Sequence, residues 1–177
     1  MAPADADNLQ GTPFLLNYCA PATLDLGPAS KPVQAALKYD VYRQELRVRR
    51  PEGDSVLVPL AQVRAFSLSD AGRERRFACY PAATLPAEAG GGAAEILAAG
   101  PHAELLKFVR KEAVKRPAEN ESYAGTNTMM VLEARTYYCL RGAADGHLTP
   151  LKLEACQPGA GTGRAACRAG GPPGAQG

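Results

Sequence analysis

The sequence predicts a mainly β domain, an antiparallel meander, sandwich or open barrel built from hairpins. Three observations carry this. Glu45-Leu-Arg-Val-Arg-Arg50 alternates strictly, placing Leu46 and Val48 on one face and Glu45, Arg47 and Arg49 on the other. Pro51-Glu-Gly-Asp54 then has turn chemistry, and Ser55-Val-Leu-Val58 returns as a strand rich in β-branched residues. Similar short segments recur at regular spacing through residues 22–80, as expected of hairpin-built sheets.

Taken in order, residues 1–12 are polar and Ala/Pro-rich and read as a loose arm. The domain begins near Pro13-Phe14-Leu15-Leu16. Ala22–Leu26 alternates as a half-buried strand, Gly27–Ser30 breaks it, and Val33–Tyr39 runs back as its partner. Asp40–Gln44 is a polar connector containing Tyr42. Pro59 argues against a central strand at the end of Ser55–Val58, so the chain kinks at 59–62 before Val63–Leu68. Ser69–Gly72 is a turn, and Arg76–Tyr80 is a short strand. Residues 81–92, ending in three glycines, read as a surface loop.

Residues 103–116 admit two readings. As a helix, Leu105, Leu106, Val109 and Ala113 share a face, which gives an α+β alternative. As a strand, Leu106 and Phe108 alternate with charges, and Gly100-Pro101 makes a hairpin turn from 93–99. Residues 117–128 form a polar connector. Val131–Leu140 and Leu148–Leu153 pair as a second hairpin around Asp145-Gly146. From Gln157 onward Gly, Ala, Pro and Arg leave little to bury, so 154–177 is expected to be a disordered tail after a single domain over 13–153.

The 177 residues suffice for one domain with a real core. Much of the 46% hydrophobic content is alanine, Trp is absent and aromatics make up only 6%, so the core needs the few Tyr and Phe. A formal net charge of +2 is too small to favour nucleic acid. Glutamates interleave with the basic runs at 47–50, 73–76 and 107–116, as on ordinary solvated faces. No apolar run approaches the roughly 18 residues of a membrane span, and the N-terminus as written has no secretory signal. The expected location is therefore cytoplasmic, or exported if the chain is a truncated form.

No catalytic, cofactor or metal motif is present. The five cysteines have no zinc-like spacing, and Cys79 and Cys139, each beside Tyr, read as small buried residues. His102 and His147 lie beside glycines in turns and read as exposed. Asn120-Glu-Ser122 fits a glycosylation acceptor, a pattern common by chance. The best candidates for a binding surface are Tyr39, Asp40 and Tyr42, since tyrosine joins apolar area to a polar tip. The competing reading puts tyrosine in the core. Tyr39, on the face of Leu37, is expected to be buried, and Tyr42 partly buried.

Leu37-Lys-Tyr-Asp-Val-Tyr42 with Glu45-Leu46 resembles a group of uncharacterised, usually exported, β-rich bacterial proteins. The Pro13-Phe14-Leu15 opening, the Val63-to-Phe66 step and the Tyr137-to-Lys152 segment extend the likeness over about 13–153, judged by pattern. It implies strands over 103–116 and transfers no functional residue. This chain departs from that group in lacking a leader and in its Gly/Ala/Pro tail. The sequence thus favours a non-catalytic structural or binding domain, with a protein or small ligand as partner. A small hydrolase or lipid-handling enzyme with a site assembled from distant residues is the alternative, and a nucleic-acid-binding module comes third.

Overall fold

The computed structural model describes residues 9–81, 84–85, 92–117 and 128–151. Within them the chain forms one mostly antiparallel, open sheet of eleven strands. The strand β2 (Ala20–Asp25) alternates more and less buried side chains as its sequence dictates, and β3 (Val33–Asp40) ends on two consecutive buried residues, Tyr39 and Asp40. Next, β4 (Glu45–Arg49) buries Leu46, and β5 (Ser55–Pro59) alternates as β2 does. A single 3-10 turn at Leu60–Gln62 follows Pro59, where the kink is expected. Then come β6 (Ala65–Asp70), β7 (Arg73–Tyr80), β8 (Gly92–Ala99), β9 (Ala103–Pro117), β10 (Thr128–Gly142) and β11 (Leu148–Leu151).

From β2 onward, consecutive strands pair as hairpins except at one point. β6 returns to pair with β2, so the spatial order runs β10-β9-β8-β7-β6-β2-β3-β4-β5. The turns follow local chemistry. Pro51–Gly53 closes β4 to β5 with Gly53 at φ 97, its N–H donating to Arg50 O at 3.0 Å, while the Arg50 N–H donates to Asp54 O at 2.9 Å. This is a type I turn ending in a left-handed residue. The β6–β7 turn is tighter than 69–72, because Ser69 and Asp70 belong to the ladder and only Ala71 and Gly72 turn, both with positive φ.

Residues 103–116 form a strand. As a helix they would bury one narrow face. As β9 they pair with β8 on one edge and β10 on the other, and they bury Leu106 and Phe108. Tertiary pairing thus overrides helical propensity. Leu97 is the extra residue where the β8–β9 register shifts between Ile96 and Ala98.

The N-terminal arm differs from expectation within its described part. Leu9–Gln10 form β1, a short strand parallel to β10 opposite Met130 and Val131. No side-chain pattern announces it, because its pairing comes from backbone groups at the free edge of β10. The chain then crosses to β3, where Leu15 N–H donates to Tyr39 O at 2.8 Å and Val41 N–H donates to Pro13 O at 2.9 Å.

Two cores result. Leu37, Tyr39, Val41, Leu46, Phe66, Leu68 and Phe77 centre the larger one, and the sheet bends around it enough to bring the Tyr39 ring within 6.0 Å of Phe77, several strands away. On the other face of β8 and β9, Leu85, Ala94, Leu106, Phe108, Cys139 and Leu148 form the smaller one. The expected tail, the connector over 118–127 with Asn120, and most of the glycine loop lie outside the described residues.

Candidate functional site

The three residues singled out from sequence separate in the structure. Tyr39 is 2% exposed and Asp40 is 1% exposed, while Tyr42 is half-buried. Tyr39 and Asp40 are therefore interior groups rather than a binding surface. The reason lies in the turn between β3 and β4. Asp40 Oδ1 accepts the N–H groups of Tyr42 and Arg43 at 3.0 and 2.8 Å, holding Val41–Gln44 in a tight turn. Gln44 takes a left-handed φ of 58, which aims its amide inward. Its Nε2 donates to Val41 O at 2.7 Å and its Oε1 accepts the Tyr39 hydroxyl at 2.7 Å. The Tyr39 oxygen in turn accepts the Ala93 N–H at 3.3 Å. Burial pushes the Tyr39 hydroxyl well above its ordinary range. Asp40 Oδ2 is buried without a hydrogen-bond partner among the described residues.

Lys111 closes this corner. Its ammonium donates to Thr12 O at 2.7 Å and Phe14 O at 2.9 Å, and its own N–H donates to Val41 O at 3.2 Å. Burial pushes its pKa down, while the charge of Asp40 pushes it up. These groups pin the crossing segment to the sheet.

A second polar cluster joins β7 to β8. Arg75 donates from Nε and an Nη to both oxygens of Glu95, each at 2.8 Å, and its ring neighbour is Phe77 at 5.6 Å. Asp70 lies 3.5 Å from the same guanidinium and accepts the Tyr18 hydroxyl. Burial raises the Glu95 carboxyl, but hydrogen bonds from Arg75 with the charges of Arg75, Lys107 and Arg73 outweigh it and hold the group below its ordinary range. The acid and base are matched to each other, which suits a structural clamp.

His102 and His147 are exposed in turns, as their sequence context predicts. Cys139 is buried, and Cys79 is a half-buried free thiol that burial pushes up to about 12. Among the described residues no group of three or more His, Cys, Asp or Glu side chains could hold a metal, and no helix is long and apolar enough to cross a membrane. A shallow groove of about 610 Å³ crosses the outer face of β2, β3 and β6, floored by small residues including Thr23, Ala36 and Ser67.

The two sheet edges are unlike. β1 and β11 cover parts of the β10 edge. β5 pairs with β4 alone among the described residues. The Arg50–Asp54 hydrogen bond fixes the ladder's alternation, so Val56 and Val58 exchange bonds with Val48 and Leu46. Ser55, Leu57 and Pro59 then point their backbone groups outward. Pro59, which has no N–H, occupies an outward position where none is needed. The Leu57 side chain is 51% exposed, and no charged residue lies within β5.

Beside this edge, the outer face of β3 and β4 carries Lys38, Arg47 and Arg49. Lys38 stands directly opposite Arg47, and both lie over the Phe14 ring, at 5.0 and 5.5 Å from its centroid. Among the described residues none of the three forms an ion pair. Pro59 and the alternation of 45–58 are the sequence signals that mark this edge. The cross-strand Lys38–Arg47 juxtaposition needs the register and has no local signal.

No protein-family model matches the chain, and no curated protein or solved structure is significantly similar to it.

Proposed function

We propose that this chain is a non-catalytic binding domain that accepts an extended segment of a protein partner as an added strand along β5. The open β5 edge carries this reading. An edge strand offers a row of unpaired N–H and C=O groups, and folded proteins usually blunt it with charge, bulges or a covering element. Here the edge has outward donors at Ser55 and Leu57, an exposed Leu57 and no charge within the strand. Strand addition uses such groups for affinity and alternate side chains for specificity.

The polar interior groups support a binding role over the hydrolase alternative, because Tyr39, Gln44, Arg75 and Glu95 are engaged with one another. The interleaving of both charge signs disfavours nucleic acid. The likeness of Leu37–Leu46 to exported bacterial proteins supports a bacterial origin, and an extracytoplasmic setting where a leader precedes this sequence; without one, the cytoplasm is the setting.

The test uses the neutral peptide acetyl-Val-Thr-Val-Thr-Val-amide and amide NMR of the full chain. On titration, the Ser55 and Leu57 amides are expected to shift and gain exchange protection. Perturbation confined to other strands, or none at millimolar peptide, would overturn the reading.

A further inference from the structure

We infer that the segment taken up by β5 is acidic on its outer face and apolar on its inner face. This rests on the strand-addition reading above and specifies the partner. On the inner face, Val56 and Val58 are half-buried beside the larger core, and Val58 packs against it. The inward side chains of an added strand would cover both valines, which favours aliphatic residues there.

The outer face differs. Leu57 stands opposite Arg47, and Ser55 stands opposite Arg49. Arg49 is exposed and has no ion pair or hydrogen bond to any described residue. Arg47 faces Lys38 across the β3–β4 pair, and like charges directly opposite are destabilising. The Phe14 ring offsets part of this through its negative face, but it supplies no net charge. Glu45, the acid on this face of β4, lies at the Pro59 end, and Asp54, which precedes Ser55, is already paired with Arg50 at 3.4 Å, so Lys38, Arg47 and Arg49 are left without a counter-ion among the described residues. An added strand lies two strand spacings from β4, about 10 Å. A glutamate beside small Ser55 and the long Arg49 side chain together span that gap. A carboxylate there would give Arg49 a counter-ion and relieve the Lys38–Arg47 repulsion. The partner segment is thus an alternation of aliphatic and acidic residues over about five positions, the length of β5.

Fluorescently labelled acetyl-Val-Glu-Val-Glu-Val-amide, its Val-Lys counterpart and a version N-methylated at alternate residues separate the claims when titrated onto the full chain. The glutamate peptide is expected to bind at least tenfold more tightly than the lysine peptide. Arg49→Glu, an exposed substitution whose fold circular dichroism can check, is expected to reduce that preference at least fivefold. N-methylation is expected to abolish binding. Equal affinity for the two charged peptides, with N-methylation still blocking both, would overturn the acidic partner and leave strand addition standing. Binding of the glutamate peptide that survives N-methylation, or no binding of either charged peptide, would overturn both.

Discussion

Tyr39 shows how one side chain ties distant segments together. Its ring meets Phe66 edge-on at 5.5 Å, and its hydroxyl joins Gln44 to the Ala93 N–H. Tyr39→Ala is expected to cost about 3–5 kcal/mol, the range for a large buried aromatic. Tyr39→Phe keeps the packing but strands Gln44 Oε1 and the Ala93 N–H, for about 1–3 kcal/mol. Denaturant melts of both variants check the two values. Gly92 belongs to the same unit. Its φ of 126 suits glycine, and a Cβ there would lie 1.9 Å from Gln44 Oε1. Gly92→Ala is expected to destabilise by about 1–3 kcal/mol from the backbone conformation alone, more with the displaced Gln44, again read by denaturant melts. The inward position of Tyr39 was legible in the Leu37/Tyr39 alternation. The role of Asp40 as a turn clamp was not, since a polar residue before a connector fits equally well on the surface.

At the scale of elements, the Arg75–Glu95 clamp joins β7 to β8 with side chains 15% and 7% exposed. Arg75→Met leaves the Glu95 carboxylate buried without its partner and is expected to cost about 3–5 kcal/mol, whereas Glu95→Gln leaves Arg75 the Asp70 contact at 3.5 Å and is expected to cost less, about 1–3 kcal/mol, both read in denaturant melts. Replacing both by well-packed apolar residues is expected to cost less than either single change. Because Glu95 is held below its ordinary range in the fold, its contribution is fully present above the unfolded carboxyl pKa of about 4.3. It is lost as pH falls through the lower folded value. Stability of the parent is therefore expected to fall more steeply below about pH 4 than that of Glu95→Gln, as melts across that range would show. Strand identity was largely legible here, because alternation and turn residues are local. The choice between helix and strand at 103–116 was not settled by periodicity, since Leu105, Leu106, Val109 and Ala113 suit a helical face while Leu106 and Phe108 suit a strand, and only the pairing with β8 and β10 decides.

For the whole molecule, sequence reading gave the hairpins closed by short turns, but not the β7–β8 and β9–β10 pairings or the strand order. The return of β6 to β2 and the crossing from β1 to β3 rest on contacts between residues far apart in the chain, which leave no local period. The edge status of β5 was half legible, because Pro59 argued against a central strand, while the bareness of that edge depends on what the other strands cover. The account's central claim is that β5 presents an unpaired edge, and residue-resolved amide hydrogen exchange of the free chain tests it most directly. Val56 and Val58, bonded to β4, are expected to be protected, while Ser55 and Leu57, pointing outward in the same strand, exchange at close to unprotected rates. Uniform protection across Ser55–Val58 would contradict the claim, since it would mean that another element already occupies the edge.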